Sequence, residues 1–249
     1  MSPNRPPEDL RRPALGVVRR NGFALLAAAG IGLGAGSAPL PDYATPKAHE
    51  LDASDRPSVD RIPYRTLTRA DFQARRPPAE ALEHAEKLGA ATCALVVPAS
   101  EIQVAGEAVR GPDGSVVYRG RIHGLAFRAV MDRSCSWWND AASSIPTAYV
   151  LQHEQIHFAL AELAARALNA RAASLVRGFQ FETSRPEELA PNAKRYVEGA
   201  IRQAMQALVE RNAAFDRDTS LGYQPDKQAA WLERVEAELR TSRRDARAR

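Results

Sequence analysis

The chain has 249 residues, of which 45% are hydrophobic and 26% charged, ordinary values for a soluble globular protein with enough apolar material for a sizeable core. Its formal net charge is +4, but residues 1–37 hold five Arg against two acidic residues, which leaves the remainder near neutral at +1. A nucleic-acid partner, which needs a basic patch or stripe, is not expected from that balance.

Residues 1–20 are rich in Pro and Arg and end in Arg19-Arg20. An uncharged run follows, residues 23–36 (FALLAAAGIGLGAG), and then the small residues Ser37 and Ala38. This is the order of a secretory signal: charged, apolar, small-residue cleavage site. Ala35 and Ser37 fit positions −3 and −1 of that site. The apolar run is too short and too Gly-rich to span a hydrocarbon core of about 30 Å comfortably. Residues 1–37 are therefore expected to be a signal peptide, with the mature chain periplasmic or secreted and not stably inserted in a membrane. The Arg pair hints at twin-arginine export, although Phe23 sits one residue late for that pattern.

Residues 38–60 are punctuated by Pro and Asp and read as a linker. A folded domain is expected over 61–243, with 244–249 a basic tail and solvated helix end. Residues 77–87 read as a short helix opened by Pro. The block from about 91 to 138 reads as β, with strands near 93–98, 102–109, 115–118 and 125–131. The turn Gly111-Pro-Asp-Gly114 marks a hairpin.

Cys93 and Cys135 flank strand-like runs, and an oxidising compartment would favour joining them. Such a bridge stabilises by roughly 3–4 kcal/mol in the chain-entropy account.

After Ser144 the character changes. Pro146 to about Val176 is rich in Ala and Leu, with Ser143 or Ser144 placed to cap its start and Gly178 to stop it. Residues 192–214 and 224–243 are two more helix candidates. The expected fold class is α+β: a small antiparallel sheet followed by a helical half, in one domain.

Residues 153–157 of the first long helix read His-Glu-Gln-Ile-His. Positions i and i+4 share a helix face, so His153 and His157 can hold one Zn²⁺ at about 2.0–2.1 Å each. Glu154 is rotated about 100° from His153, too far to be a ligand with it but able to reach a water. Zinc lowers the pKa of its water to about 7, and Glu154 is then placed to act as general base in hydrolysis. The apolar flanks Tyr149, Val150, Leu151, Phe158 and Leu160 argue that these polar groups point inward with a partner. A zinc site needs a third protein ligand. Glu162 lies about 140° away on the helix and reads as a surface or supporting group. Glu182, Glu187, Glu198, Asp216 and Asp218 are further candidates, and spacing does not choose among them. His123 reads as an exposed turn residue, and His49 and His84 as solvated. One of Trp137 and Trp138 is expected in the core, and Trp231 reads as core.

Several segments, taken in order, carry a resemblance. They are 67–73 (LTRADFQ), 90–95 (AATCAL), 136–138 (SWW), 151–166 (LQHEQIHFALAELAAR) and 215–222 (FDRDTSLG), followed by Gln228 and Trp231. Together they resemble a bacterial family of secreted zinc-dependent proteases, domain of unknown function 922, over about residues 61–240. The resemblance implies a zincin-like fold, a peptide or protein substrate, and zinc as cofactor. It also implies a sheet edge to which substrate adds, with 124–131 as the candidate strand. Two departures stand out: the closing motif begins with Phe215 where the family has Tyr, and has Leu221 where the family has His. With that His gone, Asp216 is taken as the third ligand, Asp218 being the alternative.

The reading is a secreted zinc metallopeptidase with Glu154 as base and His153, His157 and Asp216 as metal ligands. A catalytically impaired periplasmic or envelope binding protein that keeps the fold is the alternative, favoured by Leu221. A zinc hydrolase of non-peptide amides, such as cell-wall material, is a third reading that the same residues would serve.

Overall fold

A computed structural model describes residues 25–28, 60–142 and 144–247. The rest of the expected signal peptide, nearly all of the linker, and the last two residues of the basic tail lie outside these. Among the described residues no helix is long and apolar enough to cross a membrane.

The architecture is α+β, with small antiparallel sheets preceding three long helices. The first sheet contains β1 (Leu25–Ala28), β2 (Arg61–Pro63), β3 (Ala90–Pro98), β6 (Phe127–Asp132) and β7 (Trp137–Trp138). Its order is β1-β3-β6-β2, with β7 pairing β3 beyond the end of β6. The second sheet holds β4 (Gln103–Arg110), β5 (Val116–His123) and β8 (Glu182–Thr183). The expected hairpin is β4–β5, whose register runs from Arg110 opposite Val116 to Gln103 opposite His123. Gly114 takes a φ of +82°, a value that favours glycine and lets the turn close.

Two expectations need correction. The β block forms two sheets rather than one, because β4–β5 pairs onward with β8 after the first long helix. And 124–131 is not a free edge: Val130 and Met131 pair with β2 as well as with β3, and the Phe127 N–H and carbonyl are taken by Asn169.

Helix α1 spans Thr147–Gly178, α2 Leu189–Thr219 and α3 Pro225–Arg247. The α1 boundaries match the Ala- and Leu-rich run, but no side chain caps its start. The Pro146 carbonyl instead accepts from the Tyr149 and Val150 N–H groups. Residue 150 and residues 152–161 of α1 are all buried. Such a helix has no solvent face there because it lies between two layers, packing on β3 and β6 and on α2 and α3. The expected short helix is a 3-10 helix over Ala79–Lys87.

The start of α2 rests on the second sheet where Gly106 and Gly120 face each other across β4 and β5. A Cβ on Gly106 would fall 2.6 Å from Leu189 Cδ1, so a larger residue there would make that side chain shift.

Cys93 and Cys135 form the disulfide, with Cα atoms 5.8 Å apart. It ties β3 to the turn after β6, where the Cys93 N–H also donates to Ser136 Oγ at 2.9 Å. Reduction is expected to cost roughly 3 kcal/mol, equivalent to about 6–12 °C in Tm for a domain of this size. Thermal melts with and without a reductant that leaves the helices intact check this. An unchanged Tm would contradict it.

Candidate metal centre

The middle of α1 presents different side chains to its different neighbours. His153 and His157, one turn apart, both face α2 and α3. Glu154, rotated about 100° from His153, faces β3 instead. All three are buried, with His153 and Glu154 at 0% exposure.

The last turn of α2 supplies Asp216, also buried. Its Oδ1 lies 3.2 Å from His153 Nε2 and 3.3 Å from His157 Nε2. Among the described residues these three form the group that could hold a metal ion. Ligand atoms about 2.0–2.1 Å from one tetrahedral ion stand about 3.3–3.4 Å apart, which the two Asp216–imidazole separations match, and all three donor atoms lie within 4.8 Å of one another.

The far nitrogens of the two rings are held by amide oxygens. His153 Nδ1 sits 2.8 Å from Gln228 Oε1, and His157 Nδ1 3.2 Å from Asn212 Oδ1. An amide oxygen only accepts, so each Nδ1 carries a proton; a neutral ring then has its lone pair at Nε2, and a protonated ring donates from Nε2 to Asp216 Oδ1. Gln228 is itself oriented: its Nε2 donates to Gln152 Oε1 at 3.1 Å and to the Tyr149 carbonyl at 3.4 Å. His157 Nε2 makes no hydrogen bond although it is buried. Three potential ligand atoms thus converge in a buried space, where a cation, or a proton shared between an imidazole and Asp216, balances the charge of the carboxylate. Burial alone would raise the Asp216 carboxyl. The imidazoles of His157 and His153 oppose this and hold it below the usual carboxylate range.

Glu154 is the other charged group. Burial pushes it up to about 8, against the lowering influence of His153 and of the Thr92 hydroxyl and backbone on β3. Neither of its oxygens has a hydrogen-bond partner of normal geometry. A buried carboxyl thus stands beside the metal-binding group, next to Thr92 of β3.

Phe215 lines the floor of the group, with its ring 4.3 Å from that of His153 and 4.8 Å from that of His157. Trp231 backs Phe215 at 5.4 Å, as a core residue.

The remaining candidates lie elsewhere. Asp218 accepts from Trp231 Nε1 at 3.0 Å and so points away from the histidines. Glu162 accepts from Arg166, which donates onward to the Leu239 carbonyl and joins α1 to α3. Glu182 pairs with Arg119 on the second sheet, Glu198 with Lys194, and Glu187 is exposed. His123 is exposed at the end of β5, and His84 is exposed on the 3-10 helix. Trp138 packs edge-on to Phe72. Leu221 packs against the small cluster of Ala81, Leu88 and Ala91, and brings no donor to the metal group.

The roles of Asn212 and Gln228 do not follow from the motif. A signal for the first was present. Asn212, Asp216 and Thr219 fall at i, i+4 and i+7 beside Phe215 at i+3, three polar residues on a helix face that is buried.

Comparison with protein-family models, with curated proteins and with solved structures found no match.

Proposed function

We infer that this chain is a zinc-dependent metallopeptidase of zincin-like design, acting outside the cytoplasm. The observation that carries the reading is the convergence of His153 Nε2, His157 Nε2 and Asp216 Oδ1, with Glu154 buried one helical step away. Two imidazoles and one carboxylate are a common donor set for catalytic zinc, which keeps three protein ligands and an open position. The order of the segments from 67–73 to Trp231, which resembles a family of secreted zinc proteases, supports the same reading.

His153, His157 and Asp216 would hold the ion. Bound there, zinc would supply Lewis acidity, lowering the pKa of water to about 7 and polarising a carbonyl oxygen. The chain's own groups do the rest. Glu154 takes one proton from the attacking water as the new carbon–oxygen bond forms. It returns that proton to the departing nitrogen as the carbon–nitrogen bond breaks. A carboxyl whose affinity for a proton is raised by burial is suited to both halves of this transfer. Gln228 and Asn212 hold the two rings in the tautomer that ligation requires.

The reading is tested by metal removal. Hydrolysis of an unfolded substrate such as casein should stop after chelation and return with about one equivalent of zinc. Metal uptake without any hydrolysis would favour the second reading, a binding protein that keeps the fold, to which Leu221 in place of a histidine points.

A further inference from the structure

The edge of β3 that borders the candidate centre is covered. Leu25–Ala28 runs antiparallel along it, with Leu25 opposite Cys93, Leu26 opposite Thr92, Ala27 opposite Ala91 and Ala28 opposite Ala90. The other edge of β3 is taken by β6 and β7. Which backbone groups face β1 follows from one contact. The Cys93 N–H donates to Ser136 Oγ next to β7, so alternation along the strand turns the N–H groups of Thr92 and Ala90 toward β1. Thr92 is also the β3 residue that stands beside Glu154. Strand β1 further lies against α1 and α2, the helices that carry His153, His157 and Asp216. It therefore sits where sheet edge, metal-binding group and Glu154 meet.

The sequence of this strand, Leu-Leu-Ala-Ala, is uncharged and free of Pro and Gly. It suits strand addition, in which main-chain hydrogen bonds supply the affinity. The same four residues belong to the apolar run read as the core of an export signal.

We propose that Leu25–Ala28 occupies in cis the β3 edge at Ala90–Cys93, so that the chain is latent while it carries residues 1–37 and opens when they are removed. The occupation stands on backbone pairing; its meaning as latency rests on the metallopeptidase reading. Tethering gives the segment an effective concentration on the order of millimolar. A free peptide at micromolar concentration competes poorly against that. After release, the vacated edge presents the Thr92 and Ala90 N–H groups to another extended, uncharged peptide.

The test uses the full chain in three forms: unaltered, with Leu26→Pro and Ala28→Pro together, and with Leu26→Ile as a control that keeps the amide. The paired prolines remove the two N–H groups that face β3. Hydrogen exchange at Ala90 and Thr92 should be about tenfold or more faster in the proline form alone, with α1 amides equally protected in all three as the check on folding. A fluorescein-labelled Leu-Leu-Ala-Ala peptide should bind the proline form and not the other two. Equal exchange at Ala90 and Thr92 in all three forms would overturn the proposal, whatever the activity. A difference in exchange without zinc or hydrolysis in any form would support occupation of the edge and count against the metallopeptidase reading instead.

Discussion

Glu154→Gln should lower the turnover of a peptide substrate by about 10²–10⁴-fold while leaving zinc content unchanged, because the amide fills the same space but cannot accept the proton from water. The variant should fold at least as well as the parent. Glu154 is fully buried, and a neutral group is easier to bury there than a carboxylate. Steady-state kinetics beside metal analysis decides the matter. Equal loss of zinc and activity would make Glu154 a ligand or a structural residue. Full activity without it would remove it from the chemistry.

The second large effect concerns Asp216. Asp216→Ala takes away one of three converging donors and leaves two buried imidazoles facing a gap. Zinc affinity should fall by more than the 10–100-fold that loss of an outer hydrogen-bond partner costs, and Gln228→Ala should fall within that smaller range. The contrast separates ligand from support: Asp216 Oδ1 lies among the Nε2 atoms, whereas Gln228 reaches only the far side of His153. Competition with a chromophoric chelator measures both affinities. Equal affinities for Asp216→Ala and the parent would return Asp218 or another carboxylate to consideration. Asp218→Ala is the matching control, and it should leave zinc binding intact because that carboxylate serves Trp231.

Much of this arrangement was legible from the order of residues. The His-Glu-Gln-Ile-His spacing places two rings and a carboxylate on adjacent faces of one turn, and the long Ala- and Leu-rich run around it can only be a helix. The hairpin at Gly111–Gly114 follows from turn chemistry, and the pairing of Cys93 with Cys135 from compartment and position. Other features depend on distant partners and leave little local mark. That β6 is interior depends on Arg61–Pro63 pairing with Val130–Asp132, from nearly seventy positions away. The N-cap of α1 is Pro146, which has no side-chain acceptor, so the hydroxyl cap expected at Ser143 or Ser144 falls two or three residues before the true helix start. Asn212 and Gln228 resemble surface amides until α2 and α3 fold against α1 and bury them. The apolar run near the N-terminus satisfies two patterns at once, an export signal and a strand, and only the register against Ala90–Cys93 reveals the second.

The central claim is that His153, His157 and Asp216 hold a single zinc ion. Its most direct test is native mass spectrometry of the metal-replete chain beside His157→Ala. The predicted result is about one zinc per chain in the parent and none retained in the variant, with both folded. A parent that binds no zinc under these conditions, or a variant that keeps it, would contradict the account.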